Sequence, residues 1–308
     1  MTRFPSSASL FAAVVVLPAA ACESPVEPPD SAFAQLTKLG GEEPVWSPDG
    51  TRIVFRSHRH YHSSIYVMDA DGSDVERLTN FGRGSAASPA WSPDGTRIAF
   101  AISGLAGDRY HEIYVMDADG SDVERLTHHD EGSNSPAWSP DGTRIAFHRA
   151  DVIDGKYTSE IYVMDADGSD VERLTNFSEA FLMHPAWSPD GTRIAFNFRH
   201  DDGHAEIYVM DADGSDVEPL ANTNLWEGWL GHPAWSPDGT RIAFSSNSHD
   251  GNAKVHVMNA DGSGVEQVTN HSGHDQHPAW SPDGTRIAFD SNGDRPIEHR
   301  EIYVIRIK

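Results

Sequence analysis

Apolar residues along this chain fall in short runs broken by Ser, Pro, Asp and Gly, and four such runs make a unit that returns every 45 to 49 residues. The third unit is representative. Ser135 to Trp138 leads into Ser139-Pro140-Asp141-Gly142, which sets Ser, Pro and Gly where a type I turn favours them. Thr143 to Phe147 follows as the second strand of a hairpin. After a variable stretch, Glu160 to Met164 carries the β-branched and aromatic residues that suit a strand. Asp167-Gly168 marks a tight turn with positive φ, and Val171 to Thr175 ends the unit. Four antiparallel strands at this period make one blade of a β-propeller. RIAF and IYVMD are apolar on both sides, as expected where both faces of a blade pack on neighbours.

The string WSPDGTRIAF stands unchanged at Trp91, Trp138, Trp187, Trp235 and Trp280, with WSPDGTRIVF at Trp46. The repeat predicts an all-β, six-bladed propeller over 32–308, with no stretch inside it for a second catalytic domain. The last copy ends at Ile302 to Lys308 without a fourth strand. Phe33 to Lys38 aligns with Val75 to Asn80, so an N-terminal strand is expected to complete the last blade beside Ile302 to Arg306 and close the ring. Pro219 replaces the Arg of Arg77, Arg125 and Arg173 in the fourth strand, which only an exposed edge tolerates.

The WSPDG and IYVMDADGS signatures resemble the TolB-type β-propeller repeat, found also in tricorn-like and dipeptidyl-peptidase-like propellers. The resemblance covers about Ala32 to Lys308 and implies the propeller fold. For function it implies a range, from partner-binding modules through peptidase accessory domains to metal-dependent lyases.

Composition narrows the partners. A formal charge of −24 argues against nucleic acid and against anionic lipid surfaces. Residues 1–21 read as a signal peptide, with Arg3 at the start, an apolar stretch from Leu10 to Leu17 and small residues at Ala19, Ala20 and Ala21. The apolar part is short for a membrane span. Cys22, the only cysteine, follows directly and resembles a bacterial lipoprotein processing box, which implies a lipidated thiol; an incidental cysteine after ordinary cleavage is the other reading. Residues 22–31 then form a Pro-rich tether. The expected location is the bacterial cell envelope, as a periplasmic or surface lipoprotein that meets the membrane through its lipid anchor alone.

Two faces of the propeller differ in chemistry. The DADGSDVE-type segments and the SPDG turns hold 24 of the 47 acids on or beside one face, whereas 16 of the 17 histidines fall in the opposite loops or at their edges. DADGSD resembles a calcium loop only in its spaced aspartates, since its Gly is fourth rather than sixth, and reads as a hairpin turn. The variable loops are where recognition is expected. The residue before each Pro-Ala-Trp, or Pro-Val-Trp in the first copy, is in turn Glu43, Ser88, Ser135, His184, His232 and His277. Three imidazoles and a carboxylate on adjacent inner strands suit a divalent metal such as zinc or manganese; no other cofactor is expected. The alternative is that each histidine bonds a neighbouring loop.

Near them lie Phe177, Phe181, Leu182 and Met183, then Leu225, Trp226, Trp229 and Leu230, suited either to stacking on a sugar or anchoring a peptide, or to folding over as a local core. Arg56 to His62 adds a basic spot that includes His58 and His60. No GxSxG, P-loop or HExxH string is present. The leading expectation is a non-catalytic binding module for a protein, peptide or glycan, with Phe181, His58, His60, Trp226 and Trp229 as ligand contacts. The alternative is a metal-dependent polysaccharide lyase or hydrolase with His184, His232, His277 and Glu43 around the metal.

Overall fold

The computed structural model describes residues 33–60, 62–105, 110–129, 132–153, 155–177, 180–220, 230–247, 251–293 and 300–307. The expected signal peptide, Cys22 and the tether lie outside them, as do Trp226 and Trp229. Among the described residues there are 24 strands and no helix, arranged as a β-propeller. Each repeat contributes its strands in sequence order, from the inner Pro-Ala-Trp strand outward.

Four four-stranded sheets stand apart, and the third and fourth repeats share one eight-stranded sheet. Six separate units were expected, and the cause of the merger is local. The second and third strands of the third repeat, Arg144–Ile153 and Lys156–Asp165, run ten residues each and stay paired through Ile153 and Lys156. The stretch read as variable loop is therefore hairpin, built from Val152, Tyr157 and Thr158 and turned at Gly155, whose φ of 79° needs no Cβ. The lengthened strand meets the next repeat through a single parallel pair, Ser159 with Phe181.

The fourth strands are shorter than the sequence suggested. In the third repeat only Glu172–Arg173 forms a ladder, because Asp170 turns through φ 49° and Thr175 hands over to its side chain. The Ile161 N–H donates to Thr175 Oγ1 at 2.9 Å, and the Leu174 N–H donates to the Ile161 carbonyl. Pro219 lies on an exposed edge strand, Glu218–Pro219, as expected. Ala34–Gln35 pairs antiparallel with Glu301–Arg306, in the sheet of Arg286–Ser291 and Asp275–Trp280.

Packing runs between repeats rather than within them. Val54, Ile65 and Val67 of the first repeat share a core with Trp91, Ile98 and Phe100 of the second. Trp46, Ile53 and Phe55 share one with Ala288, Ile302 and Val304 of the last. Arginines reinforce the joints: Arg97 lies over Trp138 at 4.9 Å, and Arg286 of the last repeat lies over Trp46 of the first at 4.4 Å.

The SPDG turns are held by their own carboxylates. Asp141 accepts from Ser139 Oγ at 2.6 Å, from the Thr143 N–H at 3.0 Å and from Thr143 Oγ1 at 2.8 Å. Asp167 in the neighbouring turn accepts from the Ser169 N–H and hydroxyl, so the DADGSD segments bond their own turn, as the hairpin reading requires. The serine hydroxyl and the threonine N–H and hydroxyl hold Asp49, Asp141, Asp190 and Asp238 at about 2, and Asp283 likewise at about 2. A depressed carboxyl contributes stability that is whole above its ordinary 3.8 and is lost as the pH falls through the folded value. Acid unfolding followed by circular dichroism should therefore fall between about pH 4 and pH 2, and Asp141→Ala should move its midpoint to higher pH.

A polar ring at the central channel

The six residues before Pro share an unusual backbone. Glu43, Ser88, Ser135, His184, His232 and His277 all have φ between 51° and 54°. A following proline excludes the right-handed helical region, and at each site the ladder also slips, as between Gln276 and Ala279. Left-handed backbone at a non-glycine residue costs of order 1–3 kcal/mol. What it achieves is common placement: all six side chains line one channel of about 340 Å³, walled by the Pro, Ala, Val and Trp that follow them.

The structure thus brings His184, His232, His277 and Glu43 around one channel. Ring centroids of His184 and His232 are 4.3 Å apart, and those of His232 and His277 are 3.9 Å apart. Glu43 is already engaged. Its Oε1 accepts from Arg56 at 2.9 Å and its Oε2 from the Ser88 N–H at 2.5 Å. Its own N–H donates across the joint to Asp290 Oδ1 at 3.2 Å. Asp290 also takes His277 Nδ1 at 2.6 Å and the Arg300 guanidinium, so one buried carboxylate ties the last repeat to the first.

These neighbours shift adjacent imidazoles in opposite directions. Burial lowers His277, but the Asp290 charge and hydrogen bond, with Glu43, outweigh it and raise its pKa. Burial and the His277 charge bring His184 down to about 4, and the same two causes hold His232 well below the usual range. Burial pushes Glu43 and Asp290 up, yet the cations beside them win, and both carboxyls are held low.

Sequence reasoning missed a second variable position. The constant decamer ends at Phe, and the next residue is Arg56, Ala101, His148, Asn197, Ser245 or Asp290. Each sits in a second strand across from the bulge, as Asp290 pairs with Gln276 and Arg56 with Glu42. The signal was present as a change of residue immediately after an invariant string. His148, half-buried and held at about 3 by desolvation and by His184 and His111, packs edge-on to His184 at 5.9 Å.

The expected ligand contacts divide. His58 is exposed and reaches Arg56 at 2.9 Å, at the rim of the ionic network. His60 bonds the Tyr66 hydroxyl at 2.7 Å and stays apart from the channel. Leu182 is fully buried and Phe177 packs on Phe198, so part of that apolar loop is local core. Phe181 is half-buried and lines a second cavity beside the third repeat.

The imidazoles fit a divalent metal in donor type. His184 Nδ1 is buried without a hydrogen-bond partner, and Asp290 orients His277 as carboxylates do for metal-binding imidazoles. Yet among the described residues no three His, Cys, Asp or Glu side chains stand as a metal-holding group, and the Glu43 oxygens serve Arg56 and Ser88.

The family described as the TolB beta propeller domain matches residues 81–176 and 149–307. The Tol-Pal system protein TolB of Thioalkalivibrio sulfidiphilus is 50% identical over 38 residues, 12% of this chain and 9% of that protein's length. A structure assigned as TolB from Agrobacterium tumefaciens superposes with a TM-score of 0.67 at 27% identity, over 88% of this chain and 92% of the other. An oligogalacturonate lyase from Vibrio parahaemolyticus shares the fold, with a TM-score of 0.59 at 13% identity over 90% and 93%.

The network has a sign-defined pH response. His277 contributes stability fully present below its ordinary 6.5 and lost as pH rises through its raised value. Glu43 and Asp290 contribute stability fully present above 4.5 and 3.8 and lost as pH falls. The joint is strongest between about pH 4.5 and 6.5. Asp290→Ala leaves Arg300 buried without its carboxylate and should cost about 3–5 kcal/mol in chemical denaturation. In Asp290→Asn, the His277 resonance should titrate at lower pH than in the parent, as read by imidazole NMR.

Proposed function

The chain belongs to the TolB β-propeller family, and on that footing we propose that it is an exported, lipid-anchored binding module of the bacterial cell envelope that holds a protein, peptide or glycan. In this reading the propeller has six blades, the eight-stranded sheet counting as two joined by the one parallel pair. Ala34–Gln35 completes the last blade. Its pairing with Glu301–Arg306 supports this, as does Thr37 Oγ1, which accepts the Ile302 N–H as Thr79 accepts that of Ile65. Gly72 likewise lies against Leu36 as Gly120 lies against Leu78.

One observation carries the binding reading. Six positions with the same strained backbone around one channel hold Glu, Ser, Ser, His, His and His. Scaffold needs explain the backbone, because it repeats. They do not explain the imidazoles of His184 and His232, because serine serves the same frame at Ser88 and Ser135. Charge complementarity to a ligand does account for a ring that runs from carboxylate through hydroxyls to imidazoles.

A second reading follows from the histidines. His184, His232 and His277 would hold a divalent metal, which in a polysaccharide lyase or hydrolase polarises a carboxylate or carbonyl of the substrate. This chain's part would be to keep His184 and His232 neutral and to fix His277 through Asp290.

Serine is already accommodated twice in the ring, so His184→Ser and His232→Ser together, which spare the His277–Asp290 pair, should leave the fold intact. Parent and variant, screened against envelope proteins, peptides and glycans, should differ at least about tenfold in affinity for a bound ligand; equal binding would sink the channel as the site. Stoichiometric transition metal in the parent, lost in the variant, would favour the second reading. Intact mass of protein from a bacterial membrane fraction should show Cys22 as the first residue, carrying lipid.

A further inference from the structure

A second cavity, of about 300 Å³, opens where the second, third and fourth repeats meet. The ten-residue hairpin of the third repeat forms one wall, and Phe181 and Met183 of the next inner strand form another. Two tyrosines stand at its rim. Tyr157 is 74% exposed and Tyr110 48% exposed, and both are among the few large apolar side chains that the described residues leave in solvent.

The wall behind them is polar in a particular way. Ser133 and Thr158 are only 1% and 2% exposed, and the hydroxyl of each is buried without a hydrogen-bond partner, as is His148 Nδ1. A buried hydroxyl left unpaired costs free energy, and native folds rarely tolerate several around one cavity. Ser159, on the same wall, is different, since it donates to the Leu182 carbonyl at 2.7 Å. Backbone at the cavity is bonded between neighbouring segments: the Ser133 N–H donates to the His111 carbonyl, and the Ala150 N–H to that of Gly132.

Charge selects the ligand class. Among the described residues the lining holds no Asp, Glu, Lys or Arg, and its two imidazoles, His111 and His148, are both kept toward the neutral form by burial. An anion finds no cation here, and the chain's charge of −24 opposes it at long range. A cation finds no carboxylate. A purely apolar ligand would leave the hydroxyls unpaired. What remains is a neutral molecule with hydroxyls that both donate and accept, and with an apolar face for the tyrosine rings.

We propose that this cavity is a binding site for a neutral sugar, a pyranose or short neutral oligosaccharide, stacked on Tyr157 and Tyr110 and hydrogen-bonded through Ser133, Thr158 and His148. The proposal rests on the binding-module reading and deepens it, by naming a ligand class for one pocket of the loop face separate from the channel. The cavity volume is at the small end of the range for ligand sites, roughly 300–1,000 Å³.

The test titrates the full chain with glucose, galactose, mannose, N-acetylglucosamine and their disaccharides by calorimetry and ligand-observed NMR, with galacturonate as anionic comparator. At least one neutral sugar should bind saturably and more tightly than galacturonate. Tyr157→Ala removes an exposed ring and should weaken binding about three- to tenfold. Thr158→Val separates roles: removing an unpaired buried hydroxyl should raise the melting temperature, while loss of its ligand bond should weaken sugar binding by a similar factor. The channel variant His232→Ser, which leaves His148 and its neighbour His184 in place, should bind the sugar as the parent does. No saturable neutral-sugar binding, equal binding of galacturonate, or binding untouched by both variants overturns the proposal. If the channel ring still binds another ligand, only this pocket's assignment fails; if nothing binds either site, the binding-module reading fails with it.

Discussion

No sheet of this molecule can cover its own faces. The second and third strands of every repeat are apolar on both sides, and each side is buried only because another repeat lies against it. The six phenylalanines that end the constant decamer, Phe55, Phe100, Phe147, Phe196, Phe244 and Phe289, are all essentially fully buried. Each such burial contributes roughly 1.5–3 kcal/mol relative to exposure. An open stack would leave two of these faces wet. Packing of the last repeat on the first removes that cost, and the shared core of Trp46, Phe55, Ala288 and Val304 is where it happens.

The same frame then fixes where chemistry can sit. Proline after each ring residue excludes helical backbone, the bulge shifts the register, and the result is one left-handed conformation reproduced at all six positions. Side-chain identity is free to vary because the backbone is not. Protonation is then set by what stands one strand away. His277 faces Asp290 and is held toward imidazolium; His232 faces Ser245's strand and another imidazole, and is held toward the neutral form. Adjacent rings of one chemical type are thus pushed in opposite directions, a separation that lets one site present both a cation and neutral acceptors.

The sequence made the scaffold legible because a repeat reports the same constraint several times over. Trp, Pro, Asp, Gly and Phe recur wherever turn geometry and inter-repeat packing demand them, and the ring positions were visible as departures from that constancy. What was hidden depends on side chains meeting across repeats. Asp290 follows the decamer like any other variable residue, and nothing local says that it will bind His277, Arg300 and the Glu43 backbone at once. Arg300 is farther still, in a stretch without the repeat's pattern. The long hairpin was also missed, because Val152 to Thr158 reads as a loop unless Gly155 is taken as its turn.

Near-identical repeats carry a problem of identity. Arg over Trp recurs at every joint with centroid distances from 4.4 to 5.3 Å, so these contacts cannot tell one neighbour from another. A chain that closed or swapped in the wrong register would keep most of its apolar energy, a recognised failure of repeat proteins. The buried charges break that degeneracy. In the native joint, His277, held toward imidazolium, lies within the field of Glu43 and Asp290, and Glu43 is itself held by Arg56 and Ser88. A slip by one repeat would set either His277 beside Ser88 or Glu43 beside His232, and each parts His277 from one carboxylate. Buried ion networks are weak stabilisers compared with apolar packing, and a gain in stability alone would not favour one here. Their energy is large in the other direction, when a charge loses its partner. Placed at the joint between last and first repeats, the network penalises every arrangement but one, and it does so with the residues that also give the channel its chemistry.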